Sequence, residues 1–381
     1  MSDHLATKCV NNRHETLKYD NTGAISYPIY QTATFAHPGV GESTGYDYSR
    51  QQNPTREQLE RVVASLENGT DALAFSSGMA AVAVMLELLK PGDHIISSCD
   101  LYGGMIRYFQ HISEKNGLTV TYWSGAPGEL AGLVRKETAA IFIETPSNPM
   151  MNIIDIQKTA DVAREHQLLF VADNTFLSPW FQNPLDLGAD IVLHSGTKFL
   201  GGHNDTLSGF LVVKDAALAE RLRFLSKTIG SCLAPFDSWL VLRGVKTLGL
   251  RMEASQKNAL AIARFLSGHP RVTKIYYPGL PDFTGAEVHL RQARGFGSML
   301  TFQTDTKETA LRVLKSVKLL HFAESLGGVE SLITYPSTQT HADVPLEDRE
   351  RNGILETTLR LSAGIEHEAD LIADLAQALG E

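Results

Sequence analysis

Between about residues 58 and 215, short β-branched or aromatic runs alternate with stretches of about ten to fifteen residues in which apolar positions recur every three or four. The runs lie at 72–75, 94–98, 119–123, 139–143, 168–172, 190–193 and 210–213 and predict strands. The stretches 79–90, 103–115, 128–136 and 157–166 predict helices. This alternation implies an α/β fold with a mostly parallel seven-stranded sheet covered by helices on both faces. Ligands on such sheets sit at the carboxyl ends of strands. Beyond about residue 235 the pattern changes. A long helix over 248–267 is followed by strand-like runs at 272–277, 298–303, 319–322 and 359–362 and a closing helix over 368–379, a C-terminal α+β unit. The first forty-five or so residues carry no period and too little apolar material for a core, and are expected to form an extended arm. The expected division is an arm at 1–45, an α/β domain at 46–235 and an α+β domain at 236–381.

Composition narrows the function classes. The chain has 381 residues, 43% of them hydrophobic and 20% charged, the balance of a soluble protein with a large core. A formal charge of −9, with no basic run, argues against a nucleic-acid partner. The longest apolar stretch, 80–89, is broken by Glu87 and is far too short for a membrane span. The N-terminal segment lacks the apolar core of a secretory signal. Cys9, Cys99 and Cys232 are solitary, which fits a reduced, cytoplasmic setting.

Several familiar chemistries are missing. There is no G-x-x-x-x-G-K-[ST] phosphate loop. Gly295-Phe296-Gly297 approaches a dinucleotide fingerprint, but Leu300 stands where the third glycine belongs, and the segment leads into a strand. His194 and His203 lack helical metal-ligand spacing, so no metal is expected.

Three strand ends are more informative. Ser76-Ser77-Gly78-Met79 opens a helix after Phe75, and small residues there let backbone N–H groups approach an anion, although an ordinary N-cap serine explains the segment better when taken alone. Asp173 follows a run apolar enough for a central strand, and a carboxylate there needs a partner. A cationic ring nitrogen or an Asx-turn at Asp173-Asn174-Thr175 serves equally well. Lys198, in His194-Ser195-Gly196-Thr197-Lys198, is either a solvated loop lysine or an amine with lowered pKa that attacks a carbonyl. Ser195 and Thr197 add hydroxyl donors for a phosphate. Together, an anion cradle, a carboxylate and a lysine at the ends of one sheet suit pyridoxal phosphate.

More motifs follow the same order along the chain. They run from Tyr48-Ser49-Arg50-x-x-Asn53-Pro54-Thr55 through Leu101-Tyr102-Gly103-Gly104, Glu144-Thr145-Pro146-Ser147-Asn148-Pro149 and Glu324-Ser325-Leu326-Gly327-Gly328 to Leu359-Arg360-Leu361-Ser362. In this order and spacing the chain resembles the Cys/Met-metabolism branch of fold-type I pyridoxal-phosphate enzymes, which holds cystathionine γ-synthase, cystathionine β- and γ-lyases and methionine γ-lyase. The resemblance covers essentially the whole chain. It implies that Lys198 is the Schiff-base lysine, that Asp173 keeps the ring nitrogen protonated, that Tyr102 stacks on the ring and that Asn148 lies near its phenolic oxygen. It implies a phosphate site made by the Gly78 and Met79 N–H groups with Ser195 and Thr197. Tyr48 and Arg50 would reach the phosphate of a neighbouring subunit, making a dimer the minimum unit of a homo-oligomer that the family usually builds as a tetramer. Arg360 would clamp the α-carboxylate of an amino-acid substrate, with Ser325 beside it. Gly196 departs from the alanine common in the family, and 204–209 is a variant segment, but neither removes a functional group.

The same resemblance bears on the substrate. Gly104 stands where methionine γ-lyases typically have cysteine, whereas Arg107 and Glu324 resemble residues that meet the distal ends of cystathionine-type substrates. The segment Tyr335 to Asp343 looks like members that include bacterial cystathionine β-lyases, with γ-synthases close by. The expectation is a pyridoxal-phosphate-dependent carbon–sulfur lyase of methionine and cysteine metabolism, acting by β- or γ-elimination. The alternative is γ-replacement on an O-acyl-homoserine, and methionine γ-lyase action is less expected. A nucleotide-dependent enzyme would need the missing phosphate loop, and a non-catalytic scaffold would not need both Lys198 and Arg360.

Overall fold

Unbroken apolar runs bounded by turn residues become strands in the computed structural model, which describes residues 3–11, 23–126 and 128–380. The seven expected runs form β1 (Asp71–Phe75), β2 (His94–Ser98), β3 (Thr119–Trp123), β4 (Thr138–Glu144), β5 (Leu169–Asp173), β6 (Ile191–Ser195) and β7 (Gly209–Val213). They make one sheet in the order β1-β7-β6-β5-β4-β2-β3. The five strands β2 to β6 run parallel, and β7 lies antiparallel to both β6 and β1. In the central β5, Phe170 and Ala172 pack into one hydrophobic cluster and Val171 into another on the opposite face, all at most 1% exposed. Burial on both faces explains why this strand reads as a solid apolar run rather than an alternating one.

A second sheet contains β8 (Val272–Tyr276), β9 (Met299–Thr304), β10 (His321–Phe322), β11 (Leu332–Thr334) and β12 (Thr358–Ser362), in the order β10-β11-β12-β9-β8. The helices Leu248–Ser267, Lys307–Ser316 and Glu368–Leu379 pack on it over Phe302, Ile333, Leu359 and Leu361. No helix among the described residues is long and apolar enough to cross a membrane.

Local chemistry accounts for the departures from expectation. The helix expected over 128–136 is only a 3-10 turn, Leu130–Leu133, because Gly128 takes φ of +85° and Gly132 weakens the middle. The strand expected over 319–322 shrinks to His321–Phe322, because the Leu319 and Leu320 N–H groups donate to the Asp374 carboxylate instead of a ladder. Helices at Pro54–Leu66, Ala216–Ile229 and Pro235–Val245 and the short β11 were not expected. Two of these helices carry readable starts, Asn53 accepting from Thr55 N–H and Asp215 from Leu218 N–H. The expected extended arm holds a six-residue helix, Leu5–Val10, that buries Cys9, while residues 12–22 lie outside the described residues.

Candidate active site

The C-terminal ends of β1, β4, β5 and β6 converge on a cavity of about 320 Å³ that residues from the second sheet close on one side. At the end of β1, the Ser77 hydroxyl caps the helix Gly78–Leu86 by accepting from Ala80 N–H at 3.1 Å. The Gly78 and Met79 N–H groups have no partner among the described residues, so the positive end of the helix faces the cavity with free donors. A Cβ on Gly78 would lie 3.2 Å from the Ser195 Cβ, and its absence lets the helix start press against the end of β6.

Asp173, at the end of β5, accepts from Thr175 N–H (2.9 Å) and the Thr175 hydroxyl (2.5 Å) through Oδ1. This is the Asx-turn, yet Oδ2 makes no hydrogen bond among the described residues and Asp173 lines the cavity. The two readings of this residue are therefore compatible.

Ser195, Thr197 and Lys198 follow on β6 and its turn. Thr197 and Ser208 tie the turn to the start of β7, each N–H donating to the other residue. The turn closes on Gly202, at φ of +71°, where a Cβ would meet the Arg251 guanidinium at 1.9 Å. Arg251 in turn donates to Phe199 O at 2.7 Å and Gly244 O at 2.9 Å, which fixes the loop behind the lysine. Lys198 Nζ donates to the Ser325 hydroxyl at 2.6 Å. Burial above all, with help from the Arg360 charge and opposition from Glu324, pushes the Lys198 amine down to about 8. At pH 7 about one amine in ten is then neutral, far more than for an ordinary lysine.

Arg360 on β12 is 2% exposed and reaches across to the first sheet. It donates to Asn148 Oδ1 (2.8 Å), Ser325 O (2.9 Å) and Thr334 Oγ1 (3.2 Å), while its Nε is buried without a partner. An arginine this buried with an unused donor is prepared for an anionic ligand. Glu324 lines both this cavity and a neighbouring cleft of about 1140 Å³. Tyr102 lies at the cavity mouth, 43% exposed, with its N–H donating to Glu144 Oε2 at 2.9 Å. A Cβ at position 104 would sit 2.5 Å from the Tyr102 ring, so the ring occupies the space that Gly104 leaves. Gly196 is constrained in the same way, since a Cβ there would meet the Phe210 ring at 2.3 Å.

Among the residues singled out from sequence, Gly78, Met79, Tyr102, Asn148, Asp173, Ser195, Thr197, Lys198, Glu324, Ser325 and Arg360 all line the cavity. Tyr48, Arg50 and Arg107 do not. Tyr48 and Arg50 are exposed, with the Arg50 guanidinium 5.6 Å from the Tyr48 ring centroid and bonded to Lys227 O. Arg107 is ion-paired with Asp343 on the surface. Two neighbours escaped the sequence reading. Glu144 lines the cavity beside Asp173. His341 donates from Nε2 to Leu101 O (3.0 Å) and Asn148 O (3.2 Å), bracing the Tyr102 turn from behind. Both stand in segments quoted from the sequence, but their contacts are distant along the chain, and the motif alone gives them no role. Among the described residues, no group of three His, Cys, Asp or Glu side chains is placed to hold a metal ion.

An amine with a lowered pKa, a half-satisfied carboxylate, free helix N-terminal donors and an unsaturated arginine fit pyridoxal phosphate and an amino acid in size and chemistry. Fold and cavity together define a fold-type I pyridoxal-phosphate enzyme. The chain belongs to the family described as Cys/Met metabolism PLP-dependent enzymes, whose model matches residues 6–380. It is 47% identical over 382 residues to the cystathionine gamma-synthase/O-acetylhomoserine (thiol)-lyase of Bacillus subtilis (strain 168), covering 100% of this chain and 97% of the relative. It is 45% identical over 383 residues to cystathionine beta-lyase MetC of the same organism, covering 100% and 98%. The crystal structure of cystathionine gamma-lyase from Lactobacillus plantarum complexed with L-serine matches with a TM-score of 0.95 at 42% identity, covering 99% of this chain and 98% of that one.

Proposed function

We propose that this chain is a carbon–sulfur lyase that cleaves cystathionine or a related thioether amino acid by β- or γ-elimination. The observation that carries this reading is that Lys198 and Arg360 line one cavity, both hydrogen-bonded to Ser325, with Glu324 where that cavity meets the neighbouring cleft. Bound there, pyridoxal phosphate supplies an electrophilic carbonyl and a ring that accepts the electron pair left at the substrate Cα. Lys198 would hold the cofactor through its amine, and the same amine would serve as the base for the substrate Cα proton. The Ser325 hydroxyl, 2.6 Å from Nζ, orients that amine. Asp173 would keep the ring nitrogen protonated, Tyr102 would offer its ring for stacking and Asn148 would serve the phenolic oxygen. Gly78 and Met79 N–H with the Ser195 and Thr197 hydroxyls hold the phosphate. Arg360 exchanges internal partners for the substrate α-carboxylate, which its planar fork meets with two parallel bonds. Glu324 meets a distal ammonium, and Arg107, once released from Asp343, a distal carboxylate.

Tyr48 and Arg50 complete the phosphate site of a second copy, so the working unit is a homodimer or a tetramer built from two. Their exposure away from their own cavity supports this, as do Ile25 at 97% and Val40 at 107% exposure on the arm that precedes them. Three free cysteines suit the reducing cytoplasm. Similarity to a γ-synthase favours a second reading, γ-replacement on an O-acyl-homoserine.

Product analysis separates the two readings. L-Cystathionine is expected to give homocysteine, pyruvate and ammonia by β-elimination, or cysteine, 2-oxobutyrate and ammonia by γ-elimination. Lys198→Ala is expected to abolish both the visible absorbance and turnover. Accumulation of cystathionine from cysteine and an O-acyl-homoserine, with little cleavage in the first reaction, would make the chain a synthase.

A further inference from the structure

Glu144 and Asp173 end adjacent parallel strands and are direct partners in the β4–β5 ladder. Both line the cavity, and Glu144 is only 4% exposed. Two carboxylates abreast in a low-dielectric site cannot both ionise cheaply, so one retains a proton. The number of donors decides which. Asp173 has the Thr175 N–H and hydroxyl, and lies in the field of His194. Among the described residues the Glu144 carboxyl has a single donor, the Tyr102 N–H at 2.9 Å.

We propose that Glu144 is a positioning residue, a neutral carboxyl that anchors the turn carrying Tyr102 and leaves the negative charge of the site to Asp173. The proposal rests on the pyridoxal-phosphate reading of the cavity. The charged or titratable groups facing Glu144 are Asp173 from β5, Asp100 after β2, Tyr102 and, from the second sheet, Arg360. Burial first and the Asp173 charge next hold Glu144 well above the usual carboxylate range, with Asp100 adding to them. The Tyr102 N–H and Arg360 oppose the rise without cancelling it. Burial raises Asp173 too, and the Thr175 hydroxyl and N–H with His194 lessen that rise without removing it. A neutral Glu144 still accepts the Tyr102 N–H through its carbonyl oxygen. It therefore holds the residue that opens the helix Gly103–Tyr108 without adding a second charge beside the ring-nitrogen site.

The test compares neutral amides at the two positions. Cofactor affinity is measured by titrating apoprotein with pyridoxal phosphate, together with the visible absorbance and circular dichroism of the bound cofactor from pH 6 to 9 and kcat. Glu144→Gln keeps the acceptor and the neutrality. It is expected to bind cofactor within about threefold of wild type, with the same absorbance midpoint. Glu144→Ala strips the acceptor and is expected to weaken cofactor binding about fivefold or more and to diminish the visible dichroism. Asp173→Asn removes the charge and is expected to weaken binding by at least about tenfold. The proposal is overturned if Glu144→Gln loses cofactor as severely as Asp173→Asn, or if Glu144→Ala matches wild type in affinity and spectrum. Should Glu144→Ala fail to fold by far-ultraviolet dichroism, the Glu144→Gln and Asp173→Asn pair alone decides. A Lys198→Ala chain that keeps the wild-type spectrum would instead sink the reading of the cavity itself, a separate outcome.

Discussion

Acid is expected to loosen the molecule first behind Tyr102, through His341. This side chain is 1% exposed, with Nε2 directed at two carbonyl acceptors and Nδ1 2.9 Å from the Thr340 hydroxyl, an arrangement that suits the neutral ring. Burial chiefly, then the charges of Arg360 and Arg349 against the pull of the Leu101 and Asn148 carbonyls, lowers its pKa from 6.5 to about 4. A base depressed on folding stabilises the fold fully above its unfolded pKa, because below that value the unfolded chain binds the proton first. The contribution is therefore present at pH 7.5 and is lost as pH falls from 6.5 towards 4. A depression of this size corresponds to roughly 3 kcal/mol, of which roughly 2 kcal/mol is gone by pH 5. His341→Gln keeps an N–H donor for the two carbonyls but does not titrate. Urea unfolding of holoenzyme at pH 7.5 and pH 5 gives the comparison, and differencing wild type against variant cancels the other titrating groups. Wild type is expected to lose roughly 2 kcal/mol more than the variant between the two pH values. Parallel losses in the two proteins would refute the reasoning.

Two further outcomes follow from close contacts. Gly103→Ala would place a Cβ 2.0 Å from Thr340 O, prising the 335–344 segment off the Tyr102 turn; kcat/KM is expected to fall about tenfold, with new protease cleavage in that segment. Asp374→Asn weakens a carboxylate that accepts from the Lys318, Leu319 and Leu320 N–H groups; urea unfolding is expected to show a loss of about 2 kcal/mol while kcat stays unchanged.

Sheet formation was legible where local composition and tertiary burial agree. The solid apolar runs of β4 to β7 could be read directly, and the helix Leu248–Ser267 could be read to the residue because Gly268 and Pro270 stop it. Leu130, Leu133 and Val134 have helical spacing, but two glycines and a short length left the nucleus unpaid for by packing. Leu319 and Leu320 look like strand residues, and only a carboxylate 54 or more residues away withdraws their N–H groups from a ladder. The cavity-lining residues could be singled out because each stands in a motif of the sequence. Glu144 and His341 also stand in such segments, but no role could be read for them there, since one takes its meaning from the neighbouring strand and the other from a turn 240 residues earlier.

Position 104 is coupled to position 102 by simple exclusion, because the tyrosine ring fills the volume any side chain at 104 would need. The two sites therefore form an epistatic pair. A substitution at 104 taken alone displaces the aromatic surface over the cavity, so its measured effect reports the loss of that surface rather than the merit of the new side chain. Relief of the contact falls to the Tyr102 ring, the far end of a side chain that is 43% exposed, so a side chain at 104 is tolerated to the extent that the ring moves with it. A library that varies 102 and 104 together would find combinations that one varying 104 alone misses.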